Sequence, residues 1–511
     1  MLRGSHPILS CDAARTLEAK LLGADEAREW AAMQTAGRAV ASAVERDFAE
    51  IGGWPASGRI LVLAGKGHNG GDALIAAQSM LERFPAATAE VMFVFGERAL
   101  RPLAARAWRA LQHAAAGRLT VGSGLVKGRS YELCLDGVFG FQFRPPAEPR
   151  VAALLQAVNA APIRLRAAVD LPSAGTFQAD FTYATGSVKS PVVHAPAAGR
   201  VRYLDLGFFG ADEPGDDRVL TPAILRPLAG LRPARSDKRT YGHVFVLGGS
   251  RSFPGAILMT VLAAIRSGAG LVTAFVPESV AASFAARTPE AMWVGWPETP
   301  DGGLALEGEL LLRSRYDRAT ALVVGPGLGR EAETMALIQN VVQQSTVPVV
   351  IDADALQPAI VRAGTARRIV TPHAGEFARI AGAAELRAFA AESGATVVLK
   401  GPVTRIVPGG TKPTKGGRDH PKKLPLYHSF FGGPVLARGG SGDLLAGLIG
   451  GLLAQTPGDP LLAAARGVAW HGLAADHLAR AHGQMAVQTT QLLDFLWAAL
   501  RSAAADGEAG R

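Results

Sequence analysis

Apolar residues along the chain fall into short runs separated by glycine-rich and polar breaks. Between residues 25 and 50, Trp30, Met33, Gly37, Val40 and Val44 recur at helical spacing, which predicts an amphipathic helix packed on a core. An apolar run, Arg59 to Ala64, comes next. It is followed by Gly65-Lys66-Gly67-His68-Asn69-Gly70-Gly71-Asp72 and a helical stretch to about Arg83. The pattern reads as strand, glycine loop, helix. Further runs predict strands at 89–95, 131–135 and 165–170, with helices at 99–115 and 150–160. Such alternation means a parallel sheet covered on both faces. Over 207–240 the pattern breaks into Pro, Gly and charge. It resumes with a strand at 243–247, a loop from Gly248 to Gly255 and a helix at 256–267. Strands at 270–276, 320–324, 347–351, 367–371 and 395–399 follow, then helices from Ser441 to about Leu453 and over 461–480. The expected fold is α/β, with two doubly wound α/β/α domains at 1–215 and 241–511 and a linker at 216–240. The basic, Gly/Pro-rich segment 408–433 is expected to be a mobile loop.

Composition narrows the function classes. A chain of 511 residues is too long for one core. With 48% hydrophobic and 19% charged residues, wholesale disorder is excluded. Two cysteines, Cys11 and Cys134, exclude a disulfide scaffold and a four-cysteine zinc site, and suit a reducing cytoplasm. The longest apolar stretch, Leu444 to Ala454, is short and broken by Gly447, Gly450 and Gly451, so no membrane span is expected. The opening residues lack the continuous apolar core of a signal peptide. A net charge of +9 suits anionic small molecules and nucleic acid equally. No zinc-finger spacing or RNP-type motif supports nucleic acid, so none is expected as a partner.

Candidate chemistry sits at strand ends. Gly65 to Gly70 fits G-x-G-x-x-G, in which glycines let the backbone approach a pyrophosphate at a helix N-terminus. Glu97, after the next strand, keeps a plain dinucleotide-binding dehydrogenase open. Asp136 and Asp170 end predicted strands, at the active edge of an open parallel sheet. Asn69, Asp136 and Ser173 offer the hard oxygens a small cation prefers, and Asp170 is placed to act as acid or base.

In the second half, five clusters follow successive strands or open a helix: Gly325 to Gly329, Asp352 to Leu356, Thr371 to Glu376, Lys400 to Thr404, and Gly439 to Asp443. The last carries the mechanism. Backbone N–H groups at a helix N-terminus can hold a transferring phosphoryl group, and Asp443 is placed to take a proton from an attacking hydroxyl. No Walker A pattern exists, so this is not a P-loop enzyme. His373 reads either as a loop histidine or as a substrate contact. Glu376 reads either as a cap or as an organiser of Mg²⁺ through water. His471 and Asp476, on an apolar helix, read as structural.

The set GGSGD, KGPVT, TPHAGEF, DADAL and GPGLG resembles the ribokinase-like dehydratase of the NAD(P)H-hydrate repair system. The first half, with GKGHNGGD, LDGVFG and VDLPS, resembles that system's Rossmann-like epimerase, in the order of the bifunctional bacterial enzymes. The resemblance implies that the substrates are hydrated NADH and NADPH. It implies K⁺-assisted interconversion of the R and S epimers, and dehydration of the S form with ADP and Mg²⁺, releasing AMP and phosphate. By motif match, Ala256, Gly327, His373 and Asp443 contact the hydrate in the dehydratase, and Lys400, Gly401, Pro402, Val403, Thr404 and Gly442 contact the nucleotide. In the epimerase, His68, Asn69, Gly70, Gly71, Asp72, Gly140, Arg144 and Asp170 meet the hydrate, while Asn69, Asp136 and Ser173 hold K⁺. The extensive apolar helices carry the expectation of a homo-oligomer, and the two cysteines that of a cytoplasmic protein.

Three departures from the family pattern fall on the epimerase loops. His68 replaces the usual Asn, the run Phe139 to Arg144 is one residue short, and Ala174 to Phe177 shortens the loop after VDLPS. With Phe141 and Phe143 narrowing the pocket, weak or altered epimerisation with retained K⁺ ligands is expected. Two other readings stay open: a dehydratase with a silent first domain, and an ordinary ribokinase-like kinase of a small molecule.

Overall fold

The computed structural model describes residues 1–23, 25–126, 128–210, 213–410 and 423–505. Continuous apolar runs are what a strand buried on both faces requires, and they form the two sheets. The first is wholly parallel, in spatial order Leu119–Val121, Thr88–Phe93, Arg59–Ala64, Tyr131–Gly137, Ile163–Val169, Phe181–Thr185 and Arg200–Leu204. Its strand Arg59–Ala64 sends Ile60, Val62 and Ala64 into one apolar layer and Leu61 and Leu63 into the other. The second sheet begins with Met292–Trp296, Leu271–Pro277, His243–Leu247, Ala321–Val324, Val349–Ile351, Arg368–Val370 and Thr396–Leu399, all parallel. Here Val244 and Val246 pack into one layer, and Phe245 and Leu247 into the other. Both sheets are therefore covered on two faces, as the alternation predicted.

The second sheet continues past its parallel part. Antiparallel strands Thr404–Val407 and Leu426–Ser429 come next, then Asp217–Leu220, Ser5–Leu9 and Val188–Lys189. Three strands from the first 220 residues thus close the sheet of the second half. Part of the stretch expected to link the halves is ordered: Asp217–Leu220 is a strand and Pro222–Ala229 a 3₁₀ helix. Of the segment expected to be a mobile loop, 411–422 lies outside the described residues, while Leu426–Ser429 is a buried strand. Helices match expectation more closely, at Glu26–Phe48, His68–Arg83, Ser441–Gln455 and Pro460–His482.

A buried charge network joins the halves. Arg202 donates to Asp47 and to Asp476, each at 3.0 Å. Arg200 reaches Asp476 and Arg480 reaches Asp47, also at 3.0 Å. Asp476 is structural, as expected for a residue on an apolar helix.

Candidate functional sites

At the edge of the first sheet, Gly65 turns the chain into the helix His68–Arg83. A Cβ on Gly65 would sit 2.1 Å from the Val138 carbonyl oxygen, so the loop needs glycine there. Asn69, in the first turn, donates through Nδ2 to the carbonyls of Phe139 (3.1 Å) and Val169 (2.9 Å). Asp136 is buried and accepts from the Ser173 hydroxyl (2.6 Å) and from the backbone N–H groups of Ser173 and Val138. The Ser173 hydroxyl in turn accepts from Phe139 N–H at 2.9 Å. Burial pushes the Asp136 carboxyl up to about 6, opposed by those hydrogen bonds. Asn69 and the Asp136–Ser173 pair meet at the backbone of Phe139, whose carbonyl accepts from Asn69 and whose N–H donates to Ser173, with the Asn69 Oδ1 turned toward Gly140.

Asp170 is buried and holds a left-handed backbone at φ 66°. That conformation costs a residue with a Cβ about 1–2 kcal/mol. The compensation is visible: Lys189 Nζ donates to Asp170 Oδ1 at 2.7 Å and to the Thr185 carbonyl at 3.0 Å. Asp170 Oδ2 is buried without a partner. Burial raises the Asp170 carboxyl above its ordinary value, against the pull of Lys189. The ring of Phe141 lies 5.0 Å from Lys189 Nζ. A cavity of about 400 Å³ is lined by Glu18, Asn69, Asp72, Phe141, Asp170 and Lys189, with His68, Gly70 and Gly140 also on its wall. Gly71 packs against Met33 beneath the loop, and Arg144 lies outside the lining, 3.4 Å from Asp12. Glu97 accepts from the Trp108 indole at 2.8 Å. That spends the carboxylate a dehydrogenase would direct at a ribose.

Sequence reading missed Lys189 and Glu18. Lys189 left a faint signal, being a lone charge two residues past a glycine turn after an apolar strand. Glu18 left none, because its position on a helix reads like any solvated face.

The second sheet gathers its clusters at one edge. Asp352 is buried and accepts from the Thr371 hydroxyl (2.7 Å) and Lys400 Nζ (3.0 Å). Burial works to lower the Lys400 pKa, but Asp352 and Glu376 outweigh it and leave the ammonium favoured. Lys400 also bridges to His373 in parallel register and donates its N–H to Pro372 at 2.8 Å. Gly401, Pro402 and Val403 then lead into the strand starting at Thr404. Gly442 faces this pair: a Cβ there would lie 3.3 Å from Lys400 Nζ and 3.9 Å from Asp352 Oδ2. Asp443, in the first turn of Ser441–Gln455, is pushed up to about 6 by burial and by Asp352, with Lys400 opposing.

Gly327, at φ 67°, packs on Ala256, where its Cβ would approach the Ala256 Cβ to 3.0 Å. His373 caps the helix Ala374–Ala381: Nδ1 accepts from Gly375 and Glu376 N–H, and Glu376 Oε2 accepts from His373 N–H at 2.9 Å. The capping role leaves the far edge of the ring exposed. His471 is buried 3.5 Å from the Ser441 hydroxyl, and burial lowers it to about 4. Among the described residues no group of three or more His, Cys, Asp or Glu side chains could hold a metal ion.

Comparison with known proteins bears on the whole chain. The family model described as NAD(P)H-hydrate dehydratase matches residues 244–497, and that described as YjeF-related protein N-terminus matches 30–196. The bifunctional NAD(P)H-hydrate repair enzyme Nnr of Moorella thermoacetica is 34% identical over 513 residues, covering 92% of both chains. That of Gloeobacter violaceus is 35% identical over 518 residues, covering 93% of this chain and 94% of its own. Among solved structures, the ADP/ATP-dependent NAD(P)H-hydrate dehydratase of Bacillus subtilis, co-crystallised with ATP and Mg²⁺, is 28% identical. It covers 55% of this chain and 97% of its own at a TM-score of 0.46. The chain belongs to the family of bifunctional NAD(P)H-hydrate repair enzymes.

Proposed function

We propose that this chain repairs hydrated NADH and NADPH with two active sites, one interconverting the R and S epimers and the other dehydrating the S epimer at the expense of ADP. The observation that carries this is the set of relatives matched over more than nine-tenths of both chains, with separate family models falling on the two halves. An ordinary small-molecule kinase would have no use for the first half.

In the second half, hydroxide is a poor leaving group, so the ring hydroxyl is first phosphorylated. Asp443 accepts the hydroxyl proton as its oxygen attacks the terminal phosphorus of ADP. Backbone N–H groups at the start of Ser441–Gln455 face the charge that develops on the phosphoryl oxygens. Lys400, held by Asp352, neutralises the leaving AMP phosphate. Elimination then expels phosphate and restores the dihydronicotinamide. Ala256, Gly327 and His373 would form the wall for the hydrate, and the Lys400 to Thr404 segment with Gly442 the wall for the nucleotide. Glu376 would hold Mg²⁺ with the nucleotide, and the ion would supply neutralisation of phosphate charge.

In the first half, Asp170 serves as acid or base, with Lys189 fixing its orientation. Asp136 is buried without an ion-pair partner among the described residues, and its carboxylate accepts from the Ser173 hydroxyl and from the Ser173 and Val138 N–H groups, so its negative charge is what would draw K⁺ there. Asn69, Asp136 and Ser173 would hold it, and it would offset negative charge beside the substrate. Two free cysteines support a cytoplasmic site of action. No described helix is long and apolar enough to cross a membrane.

The test gives the purified chain both hydrate epimers with ADP and Mg²⁺ and follows dihydronicotinamide absorbance. Complete recovery, faster than spontaneous interconversion, is expected. Recovery that stalls once the S epimer is consumed would reduce the function to dehydration alone.

A further inference from the structure

The epimerase cavity holds a carboxyl that the mechanism above does not use, and the inference here rests on that epimerase assignment. Glu18 extends from the helix Cys11–Leu22 into the cavity, a quarter exposed, with Oε1 3.9 Å from Lys189 Nζ. Glu18 and Asp170 therefore share one ammonium, with the Asp72 carboxyl on the wall of the same cavity. Asp170 takes it at 2.7 Å, and among the described residues Lys189 is the only cation within 4.0 Å of Glu18 or Asp170. Three carboxylates around one cation cannot all stay ionised, so protons reside on the outer members. Both outer carboxyls line the cavity, but Asp72 is buried whereas Glu18 is a quarter exposed.

The chemistry needs such a proton. Water adds to an enamine with its hydroxyl on the carbon bonded to nitrogen. The configuration there inverts if the nitrogen lone pair expels the hydroxyl and water returns from the other face. We propose that Glu18 is the catalytic residue that protonates the ring hydroxyl during epimerisation. Its O–H bond breaks and the proton goes to the hydroxyl oxygen. The C–O bond breaks, its electron pair leaving as water, and the nitrogen lone pair forms a C=N⁺ bond. Water then adds to the opposite face, the π pair returns to nitrogen, and the released proton passes by way of Asp170 back to Glu18. Nothing is oxidised and no proton is gained or lost.

Burial pushes the Glu18 carboxyl up to about 7, with Lys189 opposing and Asp170 adding, so the acid form is present near neutrality. The charged groups around it are Asp170 and Lys189 from the sheets, Asp72 and His68 from His68–Arg83, Glu29 from Glu26–Phe48, and Lys66 and Arg101 at the rim.

The experiment uses the full chain without ADP, so that the dehydratase is idle, and follows R and S epimers by chromatography from about pH 5.5 to about pH 9. The parent rate should fall as pH rises through about 7. Glu18→Gln should lose about 100-fold and the falling limb with it, and Glu18→Asp should recover part of the rate and keep the limb. Dehydration of the S epimer with ADP should be unchanged in both variants, which establishes that they fold. A Glu18→Gln chain that epimerises within about twofold of the parent, or keeps the limb, overturns the proposal alone. A parent chain that never outpaces spontaneous interconversion overturns it together with the epimerase assignment.

Discussion

The dehydration step should switch on with the ionisation of Asp443, and its neighbours should move that switch in opposite directions. Burial and Asp352 hold the carboxyl at about 6 while Lys400 pulls the other way. With that value the base is about 90% ionised at pH 7 and about 10% at pH 5, so kcat should fall about ninefold between them. Asp352→Asn removes a charge that raises Asp443 and should move the limb to lower pH. Lys400→Met removes the charge that lowers it and should move the limb to higher pH. Asp443→Asn should cost about 10²–10⁴ in kcat and abolish the limb.

Stability gives an independent readout. The folded pKa of Asp443 lies above its unfolded value, so ionising it works against the fold. That penalty is full above about pH 6 and gone below about pH 4. Asp443→Asn should therefore be about 1–3 kcal/mol more stable than the parent at pH 7, allowing for solvent screening, with the gain vanishing near pH 4. The assay is recovery of dihydronicotinamide from S epimer at saturating ADP and Mg²⁺, paired with thermal melts at the two pH values. An Asp443→Asn chain that keeps more than about a tenth of the activity, or a limb that the Asp352 and Lys400 changes leave in place, refutes Asp443 as the base.

Arg202→Met should cost about 1–3 kcal/mol in chemical denaturation, because Asp47 and Asp476 each lose one of their arginines in the buried interface and keep only Arg480 and Arg200. Gly65→Ala should remove epimerisation while sparing dehydration, since its Cβ would collide with the Val138 carbonyl in the first site alone; separate assays on each epimer check this. Residues 1–215 expressed alone should melt well below the full chain and epimerise poorly, read by circular dichroism and chromatography of the epimers.

Most of the sheets' parallel strands were legible because strands buried on both faces are written as unbroken apolar runs, as in Val244 to Leu247 or Ala321 to Val324, whereas the partly exposed edge strands Leu119–Val121, Arg200–Leu204 and Met292–Trp296 were not. Asp136 and Asp170 were legible because a carboxylate stands out at the end of such a run, and Asp443 because it stands in a glycine-rich turn that opens a helix. The strands Val188–Lys189 and Asp217–Leu220 were not. They are short and carry Lys189 and Arg218, charges that are buried only because distant groups meet them. Arg218 is satisfied by Ser5, more than two hundred residues away, and no local pattern encodes that. Glu18 was hidden by the same limit. Its helix turns one side to solvent, and which carboxyl faces the cavity depends on a strand that follows much later.

Those unread strands also explain why the two activities share a chain. Lys189 pairs in register with Leu9, and that strand pairs with Asp217–Leu220, itself beside Leu426–Ser429 of the second sheet. The ammonium that orients Asp170 is thus mounted on the last strand of the dehydratase sheet. The Asp47, Arg202 and Asp476 network fixes the same interface from its other side. A strand left at a sheet edge loses its backbone partners and its register. Cutting the chain before Asp217 exposes Ser5–Leu9 in that way and loosens Lys189 with it. The order imposed on the epimerase site by the second half is therefore part of that site, and the halves are two reaction centres on one folded unit.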